Sequence, residues 1–213
     1  MSERASAAPA EDTTTDRRKQ ILAAVLHCFA HYGYRRTSME DIAREAGMTR
    51  TALYYHFKNK EEIFVALAAW FHDKMLRAAE KALALDAPPD EVVHKILEAR
   101  MPMYFEWCHR SEHGREIAAD NSKLTGAVSA VANRQYRSIL AKAIRRAERA
   151  GAWSPKRVGM NADDAASYLF DSAEGLMGDE SSEQTPAEYA RRLRQLVQIC
   201  VLAWGGAPAL AEP

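Results

Sequence analysis

Two short stretches carry side chains whose types and spacing could do chemistry. In TRTALYYHFKNK, Thr49 to Lys60, two tyrosines, a histidine, an arginine and two lysines crowd around a single Leu and a single Phe. Hydroxyl, imidazole, guanidinium and ammonium donors packed this closely suit a polyanion, with an arginine able to pair bidentately with a base edge. In HRSEH, His109 to His113, the H-x-x-E-H spacing matches that of inverted zinc peptidases, and Cys108 is adjacent. That pattern is five residues long in a chain with seven histidines, Gly114 follows at once, and no third ligand is recognisable. The expectation is therefore no catalytic residue, no bound metal and no cofactor. A metal-sensing regulator or a zinc hydrolase using His109, Glu112 and His113 is the alternative.

Charge separates the two stretches further. The chain has 213 residues with 29 basic and 29 acidic side chains, so composition alone points to no polyanion. From Arg17 to Lys60, however, nine Lys or Arg face three acids, and from Glu61 onward 19 basic residues face 22 acidic ones. A basic head on a slightly acidic body is the asymmetry of a small phosphate-binding module attached to a larger one. Cys28, Cys108 and Cys200 are odd in number and far apart, which argues against a disulfide framework or a thiolate zinc site and fits a reducing cytoplasm. No signal peptide and no membrane-length apolar run is present.

The elements that must position these residues are helices. Period-2 alternation and hairpin turns are missing, while apolar residues recur at three and four. After a disordered tail over 1–14, the first helix runs from about Asp16 to Tyr32 and stops at Gly33. Ser38 opens a second with Asp41 at capping-box spacing, and Gly47 ends it. Thr49 is the N-cap of a third, with Leu53 and Phe57 inward and Arg50, Thr51 and Tyr54 outward. Asn59 caps a fourth, through Phe64, Leu67, Phe71 and Met75 towards Pro88-Pro89. Two short helices around a glycine turn have the dimensions of a helix-turn-helix.

The segment TSMEDIAREAGMTRTALYYHFKNKEEIF, preceded by ILAAVLHCFAHYGYRRTS, resembles the amino-terminal domain of the tetracycline-repressor (TetR) family of bacterial transcriptional regulators. The likeness is dense from about Arg17 to Phe64 and rests on the Phe-x-x-x-Gly-Tyr end of the first helix, the Ile-Ala-x-x-Ala-Gly turn and Leu-Tyr-x-His-Phe-x-x-Lys. It implies a DNA-binding domain over 15–60, an effector-binding and dimerisation domain over 61–206 and a tail over 207–213. Thr37, Ser38, Thr49, Arg50, Thr51, Tyr54, Tyr55, His56 and Lys60 match the family's DNA-contacting positions. The implied partners are double-stranded DNA with a palindromic operator, a largely apolar small-molecule effector and a second copy of the chain. The function implied is that of a ligand-responsive repressor.

The body reads as an all-helical bundle, about nine helices in the whole chain. Pro102 is expected to kink the fifth helix, amid Met101, Met103, Tyr104, Phe105 and Trp107. With Trp70, Phe71 and Met75 from the fourth helix, and Phe170 and Glu174 opposite, these are the candidate pocket residues. Ordinary core is the bland alternative for each. Asn161 and Asp164 cap a penultimate helix, and Thr185, Pro186 and Glu188 begin the last. Their stripes, Tyr168, Leu169, Ser172 and Leu176 with Leu193, Leu196, Val197, Cys200 and Trp204, are the candidate dimer interface, because a two-fold partner would read a second half-site. AKAIRRAERA, Ala141 to Ala150, reads as a solvated outer face over an inward stripe of Ile139, Leu140, Ala143, Ile144 and Ala147.

Overall fold

The computed structural model describes residues 10–101, 122–177 and 184–209. Within them are eight α-helices, a short 3-10 turn and no strand: α1 Ala10–Tyr32, α2 Met39–Glu45, α3 Arg50–His56, α4 Lys60–Leu83, α5 Pro89–Glu98, α6 Ser122–Arg149, the 3-10 turn Pro155–Val158, α7 Ala162–Leu176 and α8 Pro186–Ala203. The all-helical expectation holds. The described residues form two compact units, 10–68 with 122–125, and 69–101 with 126–177 and 184–209.

The first unit is built on α1. Ile21, Leu22, Val25, Cys28 and Phe29 recur at three and four and are buried, as are Ile42, Ala43, Leu53 and Phe57, and α1 packs on α2 and α2 on α3. The opening of α4 completes this core, with the Phe64 ring 6.0 Å from Phe29 and 5.2 Å from Tyr34. α1 starts at Ala10, ahead of the expected Asp16, so residues 10–14 are helix and not tail. Once a helix is nucleated by its packed portion, each added residue costs only propagation, and a threonine-rich stretch is carried along.

In the second unit α8 packs against α5 and α7. Val92, Val93, Ile96 and Leu97 of α5 meet Leu193, Val197 and Val201 of α8 in one core with Leu169, Phe170 and Ala173 of α7. The α6 stripe Tyr136, Ile139, Leu140, Ala143, Ile144 and Ala147 is buried in that core, as the sequence pattern requires. Trp153 and Trp204 pack with ring centroids 5.2 Å apart, the Tyr189 hydroxyl donates to Ala173 O at 3.3 Å, and the Tyr136 hydroxyl donates to Ile96 O. The N-caps of the last two helices are those expected: Asn161 accepts from the amides of Asp163 and Asp164, and Thr185 forms a capping box with Glu188 behind Pro186.

α5 ends at Glu98 with Ala99 as its C-cap, and the kink expected at Pro102 lies outside the described residues.

Candidate nucleic-acid interface

Local sequence rules fix the geometry of α2 and α3. Ser38 sits in extended conformation and its hydroxyl accepts from the Asp41 amide, while the Asp41 carboxylate accepts from the Ser38 amide at 3.0 Å and hydroxyl at 2.6 Å. Those bonds, the hydroxyl first, hold the Asp41 carboxyl below its usual range, with the Arg44 guanidinium adding to the effect. α2 closes in a Schellman motif: the Met48 amide donates to Ala43 O at 2.9 Å and the Gly47 amide to Arg44 O at 3.1 Å. Gly47 has φ +64°, a left-handed conformation that an L side chain resists, so this turn demands glycine. Thr49 then caps α3, its hydroxyl accepting from the Ala52 amide at 3.2 Å.

α3 is held from one side only. Leu53 is fully buried, and Phe57, whose backbone has left the helix for extended geometry, is buried beside it. Arg18 reaches from α1 to donate to His56 O at 3.1 Å and lies 4.2 Å from the Phe57 ring centroid. The opposite face is bare: Arg50 and Thr51 are exposed, Tyr54 is 41% exposed and Tyr55 87% exposed. The Arg50 guanidinium lies 5.6 Å from the Tyr54 ring, and the His56 ring, half-buried, meets Tyr55 edge-on at 5.6 Å. An exposed tyrosine of this kind adds nothing to a core, and a row of donors on a helix anchored from behind fits a groove lined with acceptors.

Thr37 and Lys60 are placed otherwise. The Thr37 side chain is buried, and its hydroxyl donates to Gly33 O at 2.7 Å, closing the turn after α1. Lys60 turns inward too, donating to the carbonyls of Tyr34 at 2.7 Å, Thr37 at 3.0 Å and Arg35 at 3.3 Å, with its ammonium 4.5 Å from the Tyr34 ring. Partial burial pulls its pKa down. Both side chains brace the turn over 33–37, whose carbonyls need donors. Ser38 and Thr49 remain exposed. Arg18 leaves no local signal, because its partners His56 and Phe57 lie far along the chain.

In the second unit the candidate pocket residues scatter. Phe71, Met75 and Phe170 are buried, Trp70 is half-buried with the Lys74 ammonium 3.8 Å from its ring, and Met101 packs against the core. Glu174 lies 2.7 Å from the Arg100 guanidinium. Met103, Tyr104, Phe105 and Trp107 fall outside the described residues, as do His109, Glu112 and His113. Among the described residues no group of His, Cys, Asp and Glu could hold a metal. A groove of about 310 Å³ lies between α4 and α6, lined by charged and polar side chains such as Asp73, Glu80, Gln135 and Lys142, and it includes none of the candidates.

Part of the stripe expected at the dimer interface is packed within the chain itself. Leu169, Leu193, Val197, Cys200 and Trp204 are buried within a single chain and form its core. The regular stripe of a helix is the first surface a bundle consumes. Ser172, Leu176 and Leu196 are partly buried, whereas Tyr168 is 50% exposed. Ile199 at 65% and Leu202 at 61% exposure are apolar positions on α8 that the stripe did not include.

A capped pair of short helices around a left-handed glycine, one exposing a face of hydrogen-bond donors, defines a helix-turn-helix DNA-binding unit. Residues 21–67 match the family model of bacterial regulatory proteins, tetR family. ArpR of Pseudomonas putida, a probable HTH-type transcriptional regulator, is 30% identical over 183 residues, covering 79% of this chain and 81% of ArpR. YhgD of Bacillus subtilis, an uncharacterized HTH-type transcriptional regulator, is 32% identical over 126 residues, 59% of this chain and 64% of YhgD; the chain thus spans a little under two-thirds of that relative. SmeT is the repressor of the Stenotrophomonas maltophilia multidrug efflux pump SmeDEF. In its triclosan complex it shares the fold, with a TM-score of 0.65 at 23% identity over 93% of this chain and 100% of SmeT. The chain belongs to the TetR family of transcriptional regulators.

Proposed function

We propose that the protein is a ligand-responsive, homodimeric repressor that binds a palindromic operator and leaves it when a small molecule occupies its body. The observation that carries this reading is the bare face of α3, where Arg50, Thr51, Tyr54 and Tyr55 are presented while Leu53 and Phe57 anchor the helix from behind. Arg50 and Thr51 read base edges; Ser38, Thr49, Tyr54, Tyr55 and His56 hold phosphates. Residues 15–60 are the DNA-binding domain, with the start of α4 as its buttress, and 61–206 the effector and dimer domain. The effector is largely apolar; SmeT, a repressor of the same fold whose structure is known in complex with triclosan, supports that part of the reading.

Dimerisation uses the outward faces of α7 and α8, where Tyr168, Ile199 and Leu202 remain exposed. Two recognition helices then meet successive major-groove faces about 34–36 Å apart. Effector releases DNA only insofar as it binds better to a dimer whose spacing does not fit. The protein acts in the cytoplasm and is no enzyme; among the described residues no helix is long and apolar enough to cross a membrane.

Sedimentation velocity at micromolar concentration tests the dimer, with Ile199→Asp/Leu202→Asp expected to sediment as a monomer. Fluorescence anisotropy with Arg50→Ala and Tyr54→Ala tests the reading face. Tight, sequence-specific binding retained by both variants would contradict the assignment.

A further inference from the structure

α3 is short, and its far end is not closed by its own sequence. A helix of seven residues does not stand alone in water, and the carbonyls of its last turn have no partner within it. α2 meets the same need locally, through the left-handed Gly47 and the amides of Gly47 and Met48. No glycine follows α3. Phe57 leaves in extended conformation, with φ −144° and ψ 130°. The Lys58 amide, which in a Schellman turn would return to the helix, donates instead to Glu62 Oε2 at 2.8 Å.

Arg18 supplies the missing closure from α1. Its Nη1 donates to His56 O, the last carbonyl of α3, at 3.1 Å, and its guanidinium carbon stands 4.2 Å from the Phe57 ring centroid. The charge lies at a helix C-terminus, where the partial negative charge of the carbonyls favours a cation. A planar guanidinium can aim an N–H along its edge while its face lies on a ring, and a lysine ammonium cannot do both. The Arg18 side chain is half-buried, whereas the adjacent Arg17 is exposed and donates within its own helix, to Gln20 Oε1 at 2.9 Å. Arg18 also precedes residues 21–67, the span that matches the family model.

We propose that Arg18 is a positioning residue for sequence recognition: it touches no DNA, and it fixes the end of the helix that carries Arg50, Thr51 and Tyr54. The proposal rests on reading α3 as the base-reading helix. Base contacts tolerate little misplacement, so a loosened α3 loses sequence preference before it loses attraction for phosphate.

The test compares full-length Arg18→Lys, which keeps the charge, and Arg18→Met, which keeps the stem, with the native protein. Anisotropy across a salt series reads binding to the duplex most enriched from a random pool and to a random-sequence duplex; amide exchange by NMR is read without DNA. Both variants are expected to bind the enriched duplex about tenfold more weakly and the random duplex within about twofold of native, with the salt slope on the enriched duplex unchanged. A phosphate ligand would behave otherwise: lysine would replace it, and methionine would lower the slope by about 0.9 for each head. Exchange at His56 and Phe57, whose amide closes on Leu53 O at 3.0 Å, should quicken about tenfold in both variants while Ile42 of α2 keeps its native rate. A residue that merely stabilised the unit would shift all three together. Native-like binding of the enriched duplex by Arg18→Lys, a lowered slope in Arg18→Met, an equal loss on both duplexes, or unaltered exchange at His56 and Phe57 would each overturn the proposal. If the native protein enriches no sequence, the reading of α3 fails instead, and exchange alone decides the brace: a faster rate at His56 and Phe57 supports it, and an unaltered rate overturns it.

Discussion

Replacing Lys60 by methionine distinguishes a phosphate ligand from an internal brace. The substitution keeps the length of the stem and its packing near the Tyr34 ring, and removes only the charge and its donors. An ammonium has three N–H groups, and the structure uses all three on the carbonyls of Tyr34, Arg35 and Thr37, at 2.7, 3.3 and 3.0 Å. A charged hydrogen bond contributes roughly 1.5–3 kcal/mol and the two longer ones less; discounted for partial exposure, the loss is about 2 kcal/mol. For a chain of this length that corresponds to a fall in Tm of about 4–8 °C. If Lys60 touched no phosphate, the slope of log K against log salt for DNA binding would be unchanged, whereas losing one phosphate contact would reduce it by about 0.9. Thermal unfolding and anisotropy titrations across a salt series read both quantities. An unaltered Tm with a slope reduced by about 0.9 would refute the reasoning.

Tyr55→Ala should do the opposite. With the ring 87% exposed, stability should stay within about 0.5 kcal/mol of the native protein while DNA affinity falls about five- to tenfold, as calorimetry and anisotropy would show. Thr37→Val, nearly isosteric, breaks the 2.7 Å bond to Gly33 O and should cost about 1 kcal/mol in denaturant unfolding with no change in salt slope. His94 of α5 is buried with Nε2 unpartnered, and burial lowers its pKa; Arg194 and Lys95 act in the same direction, Glu98 and Asp90 against it. The unfolded chain then binds the proton more readily than the folded one, so stability is full above the ordinary histidine pKa of about 6.5 and declines as pH falls below it. His94→Phe should flatten that part of a stability-versus-pH curve.

What was legible in the sequence was local. Ser38 with Asp41, Thr49, Asn161 and Thr185 with Glu188 act within three residues of themselves, and each cap stands where its spacing put it. The face of α3 was equally readable, because Leu53 claims one side of a two-turn helix and leaves the other to Arg50 and Tyr54. Contacts across long loops were not. Nothing near Lys60 says that its ammonium serves the carbonyls of residues 34–37, and nothing near Arg100 announces Asn133 or Glu174. At α8 the periodic stripe of Leu193, Val197 and Cys200 is buried in the chain's own core, while the exposed pair Ile199 and Leu202 is too short to register as a stripe.

Selection of bound fragments from a random double-stranded DNA pool by the full-length protein, at fixed near-physiological salt, tests the central claim most directly, because non-specific phosphate binding is weak there. The account predicts enrichment of a palindrome whose half-sites lie one helical turn or a multiple of it apart, with enrichment lost in Arg50→Ala. Recovery of unenriched DNA, or of the same motif by Arg50→Ala as by the native protein, would contradict it.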